Sequence, residues 1–208
     1  MLSATIKKTG DRTMSILLLS GSPAAPSSTG RLLDHVGDKL AALGHRHSKL
    51  QVRDLPAKAL LHADFADLTL KRAIDAVAEA DAIVIATPIY KASYTGVLKA
   101  FLDLLPQDGL KDKLVLPLAT GGSQSHMLAL DYALRPVLHA LDARQVFTSI
   151  YATSQQLVWN DVSGLTVDPA IAWRVQAGVD ALSACLNALR QQPDDVFVTQ
   201  AQPVRLAR

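Results

Sequence analysis

The sequence predicts an α/β protein built on a parallel sheet with helices on both faces. Two observations carry the prediction. Short apolar runs of strand length alternate along the chain with segments whose apolar residues recur at helical spacing. Three of those runs break directly into loops of unusual composition, Ser20 to Thr29, Thr87 to Gly96 and Thr120 to Ser123. In open sheets of this kind ligands bind beyond the carboxyl ends of the strands, so the three loops are expected to meet around one site.

The first run, from Ser15 to Leu19, reads as a strand buried on both faces. A hydroxyl-rich loop follows, then Leu32, Leu33, Val36, Leu40 and Leu43 at the spacing of one helix face. His45 to Val52 has mixed polarity, as expected of a strand near a sheet edge, and Arg53 to Leu61, with Pro56, reads as a loop. Asp67 to Ala80 is helical, with Leu70, Ile74 and Val77 along one side, and Asp81 to Thr87 is the next buried strand. After the second loop, Val97, Leu98, Phe101, Leu102 and Leu105 mark a helix, and Pro106 to Asp112 a turn. Leu114 to Ala119 is a third buried strand. The remainder reads as a long helix from Gln124 to Asp142, a last strand from Gln145 to Tyr151, an extended loop from Ala152 to Asp168, and a helix through Ile171, Val175, Val179, Leu182, Leu186 and Leu189.

At 208 residues, 49% hydrophobic and 19% charged, the chain suits one domain with a full core. Residues 1–14 read as a disordered leader, 15–191 as that domain, and 192–208 as a mobile or interface-forming tail. Net charge is only +2 with the basic residues scattered, and aromatics are 5%, so neither a nucleic-acid footprint nor a base-stacking platform is expected. No apolar run approaches the ~20 residues of a membrane span, and the leader lacks an apolar signal core, which predicts a cytoplasmic protein. Cys185 is the single cysteine and reads as a small buried residue in a helix. His45, His47 and His62 have no carboxylate or cysteine at ligand spacing and read as surface residues, so no metal site is expected.

The loops themselves limit the chemistry. The first has neither the lysine of a Walker motif nor G-x-G-x-x-G. It offers Ser20, Ser22, Ser27, Ser28 and Thr29 ahead of a helix, with only Arg31 charged nearby. Hydroxyls, backbone amides and a helix N-terminus solvate a terminal monophosphate without a metal, which fits FMN better than ATP. A serine-rich loop that merely caps a helix is the alternative. In the second loop Pro88 leaves extended backbone at Ile89 and Tyr90 that can meet the edge of a flat heterocycle, and in the third Gly121 and Gly122 after Thr120 permit close approach of a ring. No G-x-S-x-G elbow and no paired carboxylates accompany these loops. A phosphate cradle with a ring pocket and no acid, base or metal suits hydride or electron transfer, where the cofactor carries the chemistry.

At these residues the chain resembles the flavodoxin-like NAD(P)H-dependent FMN reductases, in particular the branch serving alkanesulfonate and methanesulfonate monooxygenases. The landmarks are Ser20-Gly-Ser-Pro23 with the following Ser-Ser-Thr, Ala86-Thr-Pro-Ile-Tyr-Lys91 with Tyr94-Thr-Gly96, Leu102-Asp-Leu-Leu-Pro106, Leu116-Pro-Leu-Ala-Thr-Gly-Gly122, and the run from His126 to Leu138, all in order between Ser15 and Leu189. The resemblance implies a doubly wound five-stranded parallel sheet of order 2-1-3-4-5. It implies FMN phosphate at Ser20, Ser22, Ser27, Ser28 and Thr29, and the isoalloxazine near Pro88, Ile89, Tyr90, Thr120, Gly121 and Gly122. It implies hydride delivery from nicotinamide C4 to flavin N5 with no catalytic side chain, FMN acting as a dissociable substrate with NADH or NADPH as donor. Reduced FMN would pass to an FMNH2-dependent sulfonate monooxygenase, and the enzyme would be a homodimer or homotetramer. It further implies a π-bulge in the segment Gln124 to Asp142, with Tyr132 as the inserted residue and His126 a second candidate, Tyr132 either packing in a subunit interface or acting on the flavin. Family loops often carry Arg directly after Ser-Gly-Ser-Pro, where this chain has Ala24, which implies a lean towards NADH. An FMN-bound quinone or azo reductase and a flavodoxin-like electron carrier are the alternatives on the same fold.

Overall fold

A computed structural model describes residues 14–191. The expectations for residues 1–13 and 192–208 lie outside the described residues, while Met14, assigned above to the leader, is buried against the first strand's side of the core. The predicted alternation is present. Strand β1 (Ser15–Ser20) leads to α1 (Ser28–Ala42), β2 (Arg46–Gln51), α2 (Ala57–His62), α3 (Leu68–Glu79), β3 (Ala82–Pro88), α4 (Gly96–Leu102) and β4 (Leu114–Gly121). These strands pair in parallel in the order β2-β1-β3-β4, and the fifth position beside β4 completes the flavodoxin-like order.

Strict alternation along the central strands explains the two helical layers. Leu17, Leu19, Ile83, Ile85, Val115 and Ala119 face one core, covered by α3 and α4; Ile16, Leu18, Val84, Leu116 and Leu118 face the other, covered by α1 and the C-terminal helix α6 (Pro169–Gln191). The helix ends are set by local chemistry. Asp67 caps α3, its Oδ1 accepting from the N–H groups of Thr69 at 2.8 Å and Leu70 at 2.9 Å. Asp67→Ala is expected to cost about 1 kcal/mol of stability, read as a lower urea midpoint with an unchanged slope.

Four segments depart from the sequence reading. Arg53 to Leu61 is a 3-10 turn (Val52–Asp54) followed by α2 rather than a loop, because Pro56 stands just before the helix, where its missing N–H costs nothing. The long helix from Gln124 to Asp142 is three pieces: a 3-10 turn (Gln124–His126), a π-helical turn (Leu130–Leu134) and α5 (Arg135–Ala140). Pro136 has no N–H to offer the Tyr132 carbonyl, so an α-pattern cannot run unbroken through this point.

The last strand is split into β5 (Gln145–Val146) and β6 (Ile150–Thr153), both parallel to β4. At the break the Arg135 guanidinium donates to the carbonyls of Val146 and Phe147, at 3.5 and 3.4 Å. The extended loop from Ala152 to Asp168 is largely a hairpin of β7 (Leu157–Asn160) and β8 (Gly164–Val167). The Asn160 side chain accepts from the N–H groups of Val162 and Ser163, and Gly164 takes a positive φ of 76°. Leu43 caps α1 half-exposed instead of extending its buried face, and Cys185 is only partly buried against the core.

Candidate functional site

The ends of β1, β3 and β4 bring the three unusual loops together, and hydrogen bonds tie each to the other two. The Gly21 N–H donates to the Ala86 carbonyl at 2.7 Å, and the Gly21 carbonyl accepts from the buried Thr95 hydroxyl at 2.6 Å, joining the first loop to the second. The Ile89 N–H donates to the Thr120 carbonyl at 2.8 Å, joining the second to the third. Thr29 Oγ1 and Thr120 Oγ1 share a buried hydrogen bond of 2.5 Å, joining the third to the first.

Between the loops lies a cavity of about 260 Å³. Its walls include Ser22, Ser27, Ser28 and Thr29 from the first loop, Pro88, Ile89 and Tyr90 from the second, and Thr120, Gly121 and Gly122 from the third. Every residue expected to bind the cofactor except Ser20 thus meets at one place, while Tyr132 and His126 lie outside the cavity wall. Ser20 is buried and its hydroxyl accepts from the Ser22 N–H at 3.4 Å, so it shapes the loop without lining the cavity. Ser154, in the 3-10 turn after β6, is a wall residue the sequence reading did not name; it falls inside the extended loop from Ala152 to Asp168, whose length suggested a functional or interface role. A larger cavity, about 490 Å³, sits elsewhere, between the break in the edge strand and α6, and contains none of the three loops.

The first wall can receive a phosphate. Ser27 caps α1, its hydroxyl accepting from the Gly30 N–H at 3.0 Å, while the Arg31 N–H donates to the Ser27 carbonyl. This leaves the N–H groups of Ser28 and Thr29 with no hydrogen-bond partner among the described residues, at the positive end of a 15-residue helix dipole. With the hydroxyls of Ser22, Ser27 and Ser28 beside them, these donors fit a monophosphate ester. The opposite walls fit a flat ring. A Cβ on Gly122 would meet nothing within 4 Å, whereas one on Gly121 would overlap the Tyr151 hydroxyl. Tyr151 is buried behind the third loop and donates to the Ser123 carbonyl at 2.6 Å, and burial pushes its phenol pKa upward. Its role had no signal in the sequence, because an aromatic in a last strand reads only as core.

The second loop is strained. Lys91 and Ala92 both adopt positive φ, 49° and 63°, and reciprocal hydrogen bonds between Tyr90 and Ser93 close a two-residue hairpin around them. Positive φ without glycine needs support from elsewhere. Tyr132, at the centre of the π-helical turn, donates its hydroxyl to the Ala92 carbonyl at 2.5 Å. The inserted turn therefore reaches the loop that carries Tyr90. His126 belongs to the preceding 3-10 turn and is not part of the π segment. Tyr132→Phe is expected to raise the dissociation constant for flavin about 2- to 10-fold while lowering stability by less than about 1 kcal/mol, since the hydroxyl is a single exposed donor; flavin fluorescence titration and a thermal melt check the two parts.

Fold and site define a doubly wound protein of flavodoxin type whose strand ends enclose a cavity that fits a phosphate-bearing planar ligand. The family description of NADPH-dependent FMN reductases matches residues 14–157, and the chain belongs to that family. It is accordingly an oxidoreductase that uses FMN with NADH or NADPH as reductant. Among curated relatives, FMN reductase (NADPH) of Pseudomonas putida is 45% identical over 146 residues, 70% of this chain and 74% of its own length. NADH-dependent FMN reductase SfnF, also of Pseudomonas putida, is 32% identical over 176 residues, covering 81% of this chain and 91% of its own. Among solved structures, the apo form of NADH:FMN oxidoreductase EMOB is 42% identical, with a TM-score of 0.76 over 83% of this chain and 90% of that one.

Proposed function

We propose that the cavity between the three loops holds FMN as a dissociable substrate, and that the reduced flavin is released to an FMNH2-dependent sulfonate monooxygenase. The convergence of Ser27 to Thr29, Pro88 to Tyr90 and Thr120 to Gly122 on one cavity carries this reading. FMN supplies the hydride acceptor when bound. The protein's own part is to bind and orient. The hydroxyls of Ser22, Ser27 and Ser28 and the free N–H groups of α1 take the phosphate, and the backbone from Pro88 to Tyr90 with Gly121 and Gly122 seats the ring. Tyr90, 53% exposed, is the aromatic side chain of the cavity wall.

One observation favours a dissociable flavin over a fixed one: the first loop, Ser20 to Thr29, contributes no lysine or arginine to the phosphate wall, Ala24 standing where the family resemblance implies Arg in many loops. The same Ala24 supports NADH as the preferred donor, a choice on which named relatives differ, FMN reductase (NADPH) on one side and the NADH-dependent SfnE and SfnF on the other. The sulfonate partner rests on the resemblance to the sulfonate branch and on the likeness to SfnE and SfnF at 31% and 32% identity. A cytoplasmic homodimer or homotetramer completes the proposal; among the described residues no helix is long and apolar enough to cross a membrane.

The purified protein is expected to be colourless, to oxidise NADH only when FMN is added, and to support sulfonate oxidation when mixed with an FMNH2-dependent sulfonate monooxygenase. Yellow protein that reduces quinones without added FMN would replace this reading with the fixed-cofactor alternative, and a strong preference for NADPH would end the role given to Ala24.

A further inference from the structure

We infer that Arg31, held in place by Trp159 of the β7–β8 hairpin, is the cation that meets the terminal phosphate of the flavin nucleotide. The inference rests on the FMN reading above and adds to it a binding residue, Arg31, and a positioning residue, Trp159. The Arg31 guanidinium lies over the Trp159 ring with its carbon 4.3 Å from the ring centroid. Such stacking uses the face of the guanidinium and leaves its N–H edges for an anion. Among the described residues no carboxylate pairs with Arg31, whereas Lys49, Arg53, Lys99, Arg135 and Arg144 all have one. A cation kept on an aromatic face instead of in a salt bridge remains available to a phosphate.

Helix geometry directs that charge. Arg31 stands four residues after Ser27 and three after Ser28, which puts all three on one face of α1. Side chains on a helix lean towards its N-terminus, so Arg31 leans towards the turn that contains Ser27 and Ser28, beside a cavity whose walls include neither Arg31 nor Trp159. Trp159 is brought in by the β7–β8 hairpin. Its chain leaves the wall at Ser154 and enters β7 at the buried Leu157. The ring is fixed by its own N–H, which donates to Asp161 Oδ1 at 2.9 Å. That bond orients the indole on the hairpin. The single cation so held stands on α1, next to a loop from Ser20 to Thr29 that carries none.

The test is equilibrium binding of FMN and of riboflavin to the donor-free protein, followed by flavin fluorescence, because riboflavin has the ring and no phosphate. For the wild type FMN is expected to bind more tightly than riboflavin. Arg31→Gln is expected to lower that preference about 10- to 100-fold, and Arg31→Lys to recover part of it. Trp159→Leu is expected to lower it about 2- to 5-fold, with Trp159→Phe close to wild type. Because Trp159 acts through Arg31, adding Trp159→Leu to Arg31→Gln is expected to change nothing further. An Arg31→Gln protein that melts like wild type and keeps the wild-type preference overturns the inference, as does one in which only the affinity for the nicotinamide donor moves. A full additional loss from Trp159→Leu in the double variant overturns the positioning role. Wild-type protein that binds neither flavin fails the FMN reading itself, a result separate from these.

Discussion

Gly121→Ala is expected to disable the ring wall and to destabilise the whole sheet edge. A Cβ at this position would overlap the Tyr151 hydroxyl and stand 3.0 Å from its Cζ. Tyr151 cannot swing away cheaply, since it is buried in the core and its hydroxyl is bonded to the Ser123 carbonyl at 2.6 Å. Overpacking of this kind costs about 1–3 kcal/mol, and the displaced third loop carries Gly122 and Ser123 with it. Affinity for FMN is expected to fall roughly tenfold or more, the scale set by ångström misplacement in a site. The oxygen is the worst contact, so Tyr151→Phe in the Gly121→Ala background is expected to recover stability. The double variant should lose about 0.5–3 kcal/mol less than the sum of the single losses. Chemical denaturation of the four proteins measures this directly. Strict additivity would show that the third loop is not braced by Tyr151.

Gly21→Ala is expected to act on the other two loops at once. Its Cβ would lie 2.6 Å from the Cβ of the fully buried Leu98, an atom fixed to the backbone of α4. Gly21 also bonds Ala86 through its N–H and Thr95 through its carbonyl, so any shift to relieve the contact loosens the join between first and second loops. A loss of about 1–3 kcal/mol is expected, which for a domain of this size lowers the melting temperature by roughly 2–12 °C. Leu98→Ala is not expected to rescue it, because the clash is with Cβ itself and not with the end of the side chain. Rescue would locate the contact elsewhere.

How much of this was legible in the sequence follows from which residues act locally. The buried strands and the helices packed on them were visible because Leu17, Ile83 and Val115 alternate with Ile16, Val84 and Leu116, and each set meets its own helical layer. The meeting of the three loops was visible because they sit where strands end, and Ser27 to Thr29, Pro88 to Tyr90 and Thr120 to Gly122 line one cavity there. The π-helical turn came from resemblance, though Pro136 offered a physical reason to doubt a continuous helix.

What was not legible depends on long-range partners. Nothing local says that Tyr132 holds the Ala92 carbonyl, that Arg135 takes the carbonyls at the break between β5 and β6, or that Tyr151 fills the space behind Gly121. The hairpin after β6 was a different kind of miss. Leu157-Val-Trp-Asn and Gly-Leu-Thr-Val167, joined through Asp161, Val162 and Ser163, carry a hairpin signal of their own that was read as loop.

A structure determined with FMN bound tests the central claim most directly. The account predicts the phosphate on the N-terminal turn of α1 at Ser27, Ser28 and Thr29, with the ring between Pro88 to Tyr90 and Gly121 to Gly122. Flavin seated instead in the larger cavity beside α6, against Phe147, Trp173 and Arg174, would contradict it.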